Sequence, residues 1–384
     1  MDQIRVLHFT IGGPEFTGIA SFLNQYYRYM DKDRVHCDFV FARQNSMKLV
    51  ADNAWFAGSK FIELSACGRG NRVSLLKLKK GLSEVLSEGG YDVLHINTHR
   101  VGVTVCCVSV AKKLGIKTVI SHSHNVRLVS GAKQRKRILA DAAKSVCAVY
   151  IRKHCDHLFA CSNRAGEALF GKKGVRDGKF RVIKNAIDSE GYVFDATERE
   201  KIRSAEGAMP DTLVLGQVGR LSLQKNQIFS LQMFAEFIKK KPNSELWLVG
   251  DGKDLGKLKD TAKELSISDK VRFLGQRNDV KQLMSGMDIF LFPSVYEGLG
   301  IVAIEAQAAG LPVYASDAVP QETKITDLIS YQSLSDGAEA WADHIYRDHV
   351  NHERRNTQEE IRKSGYDIVQ ASKDLEEFYV TNCK

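Results

Sequence analysis

The chain is short of several things that would have decided its class. Six prolines among 384 residues, with no low-complexity tract, exclude a disordered or collagen-like polypeptide. No segment repeats itself at the spacing of a solenoid or propeller. The longest nearly apolar run, VGVTVCCVSVA at 101–111, falls well short of the roughly 18 residues that a membrane-crossing helix requires. Eight cysteines, at 37, 67, 106, 107, 147, 155, 161 and 383, form no CxxC pair, and several sit inside apolar runs such as VCCVSV and LFACS. That pattern points to reduced, buried thiols and a cytosolic protein. The opening MDQIRVLHFTIGG lacks a basic lead and reads as a strand, not as a signal peptide. There is no basic platform interleaved with aromatics, so nucleic acid is not an expected partner.

What remains is ordinary globular material, 43% hydrophobic and 26% charged, long enough for about two domains. A net charge of +9 and a pI near 9.0 favour anionic partners without choosing among phosphate ligands, nucleic acid and acidic membrane. Short apolar runs recur: IRVLHFT, CDFVFA, KFIEL, DVLHINT, KTVISHS, HLFACS and RVIKNA, then TLVLGQVG, ELWLVGDG, KVRFLG, IFLFPS and PVYASD. Runs apolar on both faces suit parallel strands covered on each side. Amphipathic segments such as 226–240 and 253–266 lie between them. The pattern predicts an α/β protein of two doubly wound, Rossmann-like domains facing across a cleft. The first takes residues 1–190 and the second 191–365, with the break in SEGYVFDA. A charged helical stretch over 352–380 ends the chain, and a helix over about 366–384 packs back on the first domain. Ligands in such sheets bind at the carboxyl ends of strands.

The most informative run is IFLFPSVYEGLGIVAIEAQAAGLP, 289–312. It reads as a strand, a glycine loop, then a helix from about Leu299 to Ala309 ended by Gly310. Free N–H groups at the helix start make an anion site, and Gly298 and Gly300 admit a diphosphate close to the main chain. Glu305, nearly two turns in, can accept hydrogen bonds from vicinal hydroxyls; the plainer view is an ordinary helix start with an incidental acid. Gly298, Gly300 and Ala303 also fit GxGxxA with Asp317 about 20 residues on, a dinucleotide fingerprint, though one that normally opens its domain. In VGRLSLQKN, 218–226, Arg220 and Lys225 follow the first strand of the second domain. Fixed cations there stabilise a departing diphosphate more than a bound one; a solvated basic loop is the alternative. SHSHN at 121–125 places His122 and His124 on one side of an extended chain, as polar contacts or as neutral structural groups, with no accompanying acid or cysteine at metal-ligand spacing. His95 and His99 are weaker candidates for the same region. Gly12, Gly13 and Gly18 keep the backbone open in the first strand–helix loop, where a plain turn is the other view. Residues 131–155 form a basic amphipathic helix pattern with Lys133, Arg135, Lys136, Arg137, Lys144, Arg152 and Lys153, either a solvated face or a contact for anionic membrane.

Together these segments resemble the retaining glycosyltransferases of family 4, which have the two-domain GT-B fold, over nearly the whole chain. The specific residues are the E-x7-E motif from Glu297 to Glu305 and the pattern of Gly219, Arg220 and Lys225. FACS with NRAGEALFG, and VIKNAID at 182–188, look like the family's closing first-domain segments. SHSHN and FLNQYYRYMD look like the branch that builds bacterial capsular and extracellular polysaccharides. The resemblance implies that Arg220 and Lys225 bind the diphosphate of a sugar nucleotide. It implies that Glu305 holds the ribose and Glu297 the donor sugar, with backbone support from Gly298, Leu299, Gly300 and Ile301. QRNDV, 276–280, ending at Val280, would lie near the base, most often uracil. His122 matches best the histidine that touches the donor sugar, with His124 second. The family's Gly-Gly-acid loop falls on Thr17, Gly18, Ile19 and Ala20 without the acid, while Gly12, Gly13 and Glu15 carry similar letters earlier; Gly18 is favoured.

The implied activity is retaining, metal-independent transfer of a hexose or N-acetylhexosamine, without a cofactor. The donor is a nucleoside-diphosphate sugar, UDP by preference, and the acceptor a glycan or lipid-linked glycan at the inner face of the plasma membrane. A nicotinamide-dependent oxidoreductase and a sugar-nucleotide epimerase of the same fold are the alternatives.

Overall fold

A computed structural model of the chain describes residues 3–12, 18–43, 56, 58–66, 72–124, 134–349 and 353–383. The chain divides into two compact units, 1–186 with 368–384, and 187–367. Gly13, Cys67 and Lys133 lie outside the described residues.

In the first unit the strands are β1 (Ile4–Thr10), β2 (Val35–Phe41), β3 (Phe61–Glu63), β4 (Val93–Asn97), β5 (Thr118–Ser123), β6 (His157–Ala160) and β7 (Phe180–Val182). Among the described residues they form one sheet in the order β3-β2-β1-β4-β5-β6-β7, and the pairings are parallel. The helices are α1 (Gly18–Arg28), α2 (Leu75–Gly89), α3 (Val101–Lys113), α4 (Gln134–His154) and α5 (Asn163–Gly174). Successive strand residues point to opposite faces, and both faces are buried. Leu7, Phe9, Leu94, Ile96 and Val119 pack into one core with α2, α3, α4 and α5. Ile4, Val6, Val93 and Ile120 pack into the other with α1 and the C-terminal helix. The same parity puts His8, His95, Asn97 and His122 on that second face.

The second unit contains α6 (Ala196–Glu206), β8 (Leu213–Val218), α7 (Gln227–Lys240), β9 (Ser244–Val249), α8 (Leu255–Glu264), β10 (Val271–Gly275) and α9 (Val280–Gly286). It continues through β11 (Ile289–Phe292), α10 (Ile301–Ala308), β12 (Val313–Ser316), β13 (Ile329–Gln332), α11 (Gly337–His349) and α12 (Gln358–Lys363). Its sheet runs β10-β9-β8-β11-β12-β13, again with parallel pairings. Strand order reverses between β8 and β11, the kind of switch point at which doubly wound sheets bind ligand, outside the carboxyl ends of the strands. The chain then returns to the first unit as α13 (Ile368–Asn382). Ser372 on this helix donates to the carbonyl of Tyr26, and Arg34 pairs with Glu376 and Glu377.

Three elements differ from the sequence expectation. β13 is unanticipated, because only Ile329 of its four residues is buried and the run ISYQ lacks a continuous apolar face. The charged stretch 352–380 is not one helix: Gly365, at φ +74°, separates α12 from α13. The helix expected from Leu299 begins at Ile301 instead, because Gly300 takes φ +89°.

Candidate active site

The candidate site is built from the loops that follow β8 and β11, residues 219–226 and 293–300. The two loops are strapped together: Val295 N–H donates to the Gln224 carbonyl at 2.8 Å, and the Gln224 amide donates to the Tyr296 carbonyl at 3.2 Å. The Asn226 amide likewise donates to the Pro293 carbonyl at 3.1 Å. Within this frame the Lys225 ammonium meets the Glu297 carboxylate at 2.6 Å, and the Ser294 hydroxyl donates to the same carboxylate oxygen at 2.8 Å. Lys225 also lies 4.9 Å over the ring of Phe292. The Glu297 side chain is 7% exposed and that of Lys225 17%, so this is a largely desolvated pair and not a surface ion pair. The family resemblance assigns these two groups to different parts of the donor, Lys225 to the diphosphate and Glu297 to the sugar; the fold brings them into contact.

Arg220 is exposed at the end of β8, and among the described residues its guanidinium has no acidic partner within ion-pair distance. Gly219 and Gly300 are sterically required. A Cβ on Gly219 would press on the Lys225 stem at 3.2 Å, and one on Gly300 would strike the Phe292 ring at 2.7 Å. At φ +89°, Gly300 turns the chain into α10, and the Ala303 N–H donates back to the Gly300 carbonyl at 2.9 Å. Gly298 borders open space, Leu299 is buried with its carbonyl bonded by Thr323, and Ile301 packs partly into the core.

Glu305 stands one turn further along α10. Burial raises its carboxyl above the ordinary range, opposed by the hydroxyl of Tyr192, which donates to it, and by the charges of Lys281 and Lys225. Tyr192 comes from a short 3-10 turn, Glu190–Tyr192, in the stretch where the break was expected; it is a buried part of the second unit, which begins at Ile187. Lys281 lies 5.2 Å over its ring and donates to Asp188 at 2.6 Å. Sequence reasoning missed Tyr192, Lys281 and Asp188, because nothing in their local pattern ties them to Glu305. Val280 opens α9 next to Lys281 and packs against the same core, while Arg277 in QRNDV is held by Glu206 and Asp279.

In the first unit, His8 of β1, His95 of β4, His122 of β5 and His124 just beyond β5 form one cluster. His95 Nδ1 lies 2.6 Å from the Tyr379 hydroxyl of α13, and His95 Nε2 lies 3.1 Å from His122 Nδ1. His122 stacks on His124 at 3.9 Å between ring centres, and His124 Nε2 lies 2.9 Å from Asn97 Oδ1. Burial keeps all four imidazoles neutral, with His8 and His124 pushed down to about 3 and His95 and His122 well below their usual value. His122 is fully buried, whereas His124 retains some surface. Sequence reasoning also missed Asn97, at the end of DVLHINT, although a polar side chain at the carboxyl end of a buried strand is a usable signal. Gly12 is described with nothing near it, and Gly18 is the first residue of α1. Among the described residues no group of three His, Cys, Asp or Glu side chains is placed to hold a metal, and no helix is long and apolar enough to cross a membrane.

Two family profiles match the chain, one in each unit. Residues 16–190 match "Glycosyltransferase Family 4" and residues 198–358 match "Glycosyl transferases group 1", which together take in most of the sequence. The chain is 28% identical over 371 residues to EpsF of Bacillus subtilis, which bears a provisional glycosyltransferase name; the match covers 96% of this chain and 94% of that one. It is 25% identical over 251 residues to the UDP-Gal:alpha-D-GlcNAc-diphosphoundecaprenol alpha-1,3-galactosyltransferase of Escherichia coli, covering 64% and 63%. Among solved structures it is similar to HepE of Anabaena, crystallised with UDP, at TM-score 0.74 and 18% identity over 98% and 99% of the two chains. With both units matched in order, and with two parallel Rossmann-like sheets of the GT-B type, the chain belongs to the family 4 glycosyltransferases.

Proposed function

We propose that the protein transfers a hexose or N-acetylhexosamine, with retention at the anomeric carbon, from a UDP-sugar to a glycan or lipid-linked glycan of a surface polysaccharide. The observation that carries this reading is the desolvated Lys225–Glu297 pair at the glycine turn into α10, with Glu305 one turn beyond and an exposed Arg220 in the same loop as Lys225. A diphosphate at the start of α10 would share the Lys225 ammonium with Glu297 and take the guanidinium of Arg220. As the bond to the sugar breaks, negative charge grows on the leaving phosphate, and two fixed cations lower that state more than the ground state. With the positive charge supplied by side chains, no metal and no cofactor is assigned to the reaction. Glu297 accepts from hydroxyls of the sugar, and Glu305 accepts from the ribose while Tyr192 holds its carboxylate in place. Backbone of Gly298 to Ile301 approaches the phosphates, Val280 is assigned to the base, and Gly18 of the first unit to the donor. His124 is preferred to His122 for the sugar contact because it keeps surface.

The UDP of the HepE complex and the UDP-galactose and diphosphoundecaprenol of the Escherichia coli relative support this donor and acceptor class. Membrane contact through the basic pattern of α4 fits a lipid-borne acceptor. Heat-unfolding shifts across a panel of sugar nucleotides test the donor, since a ligand bound to the native state raises its apparent stability. Stabilisation by UDP-sugars and not by NAD is expected. Stabilisation by NAD alone would replace the transferase site by a dinucleotide site, and isomerised sugar from donor alone would identify an epimerase.

A further inference from the structure

Three buried imidazoles and the half-buried His124 in one cluster raise the question of where their protons are, and that of His124 can be placed from heavy-atom geometry. Asn97 Nδ2 lies 3.2 Å from the His95 backbone carbonyl and 3.3 Å from His8 Nδ1. A carbonyl only accepts, so the amide nitrogen faces it and the amide oxygen faces His124 Nε2, at 2.9 Å. That oxygen also only accepts, so His124 Nε2 carries the hydrogen. A neutral imidazole has one N–H, which leaves His124 Nδ1 as a bare lone pair. Nδ1 is buried and, among the described residues, has no hydrogen-bond partner.

We infer that Asn97 is a positioning residue that locks His124 in its Nε2–H tautomer, so that Nδ1 serves as an acceptor for a hydroxyl of the transferred sugar. The inference rests on the reading that His124 contacts the donor sugar. A buried acceptor without a partner is costly, and a ligand O–H relieves that cost. A carboxylate at the same place would meet lone pair with lone pair, so the geometry suits a neutral sugar hydroxyl. Among the described residues, the groups around His124 supply no countercharge. His8 comes from β1, His99 from beyond β4 and His122 from β5, all imidazoles, while α1 contributes the ring of Phe22 at 4.9 Å. Tyr379 of α13 reaches His8 and His95 behind them. In this setting the ring stays neutral across the physiological range, and its tautomer is set by Asn97.

The test combines nitrogen NMR of histidine-labelled protein, assigned with a His124→Gln variant, and transfer kinetics from pH 5.5 to 9. In the unsubstituted protein His124 should carry its hydrogen on Nε2 throughout, and kcat should show no imidazole ionisation. Asn97→Ala should mix the two tautomers and lower kcat by roughly tenfold, with a smaller change in KM. Asn97→Asp keeps the acceptor but adds a charge that raises the imidazole pKa. Its kcat/KM should therefore fall about tenfold per pH unit below that new value and recover toward alkaline pH. A hydrogen on Nδ1 in the unsubstituted protein overturns the inference, as does an Asn97→Asp pH profile that matches the parent. Full transfer by His124→Gln also overturns it. Heat stabilisation of that variant by UDP-sugar would show that the transferase reading itself stands.

Discussion

Tyr192→Phe removes one hydroxyl and little else, and its effect can be worked out from the surroundings of Glu305. Glu305 accepts that hydroxyl from within a desolvated site, where burial already raises its carboxyl and only Tyr192, Lys281 and Lys225 oppose the rise. A hydrogen bond to a charged group contributes about 1.5–3 kcal/mol. Losing it multiplies the carboxyl's affinity for a proton by roughly ten to a hundred. If the ionised carboxylate is what accepts the ribose hydroxyls, UDP binding must weaken as pH falls, and must do so at higher pH in the variant than in the parent. Calorimetric titration with UDP should therefore show a loss of affinity in the variant that is small at pH 8.5 and grows as the pH is lowered to 6. Stability moves with the same sign. The native state holds the Glu305 proton more tightly than the unfolded chain, so its ionisation costs stability as pH rises through the gap between the two pKa values. Tyr192→Phe widens that gap, so the variant should melt below the parent at pH 8 and approach it at pH 5. Parallel binding profiles, displaced equally at every pH, would refute the reasoning and reduce Tyr192 to packing.

Lys225→Ala should lower transfer by about 10²–10³-fold, as for the loss of one transition-state donor; turnover near the parent value in a coupled UDP-release assay would remove Lys225 from the mechanism. The buried histidines predict acid lability. His8, His95, His122 and His124 have native pKa values below the unfolded one, so their contribution is complete above about pH 6.5 and is lost as pH falls, by up to about 1.4 kcal/mol per pH unit for each. Thermal melts between pH 7.5 and 5 should drop steeply over a range where few ordinary carboxylates titrate, and a flat profile would contradict the neutral cluster. Replacing Arg135, Lys136 and Arg137 of α4 by Gln should weaken flotation with phosphatidylserine vesicles by about 1 kcal/mol per charge; unchanged flotation would end the membrane role.

Much of the architecture was legible because parallel strands buried on both faces leave continuous apolar runs, and these need no partner to be recognised. β13 escaped since three of its four residues are only half-buried. The start of α10 and the break before α13 were misplaced because each turns on a glycine with positive φ, Gly300 and Gly365. In the same way Arg220, Lys225, Glu297 and Glu305 could be singled out from sequence alone, since residue type and position after a strand end are local properties.

What those residues touch was decided elsewhere. Strand order brings residues 219–226 against 293–300 and makes Lys225 a partner of Glu297. The chain's entry into the second unit brings Tyr192 to Glu305. Register across β1, β4 and β5 sets His8 beside His95 and Asn97 beside His122, and thereby fixes which nitrogen of His124 is bare. Periodicity and turn chemistry act over a few residues and are written in the local sequence. Desolvation, proton placement and charge pairing depend on groups brought together from distant segments, and only the packed structure determines them.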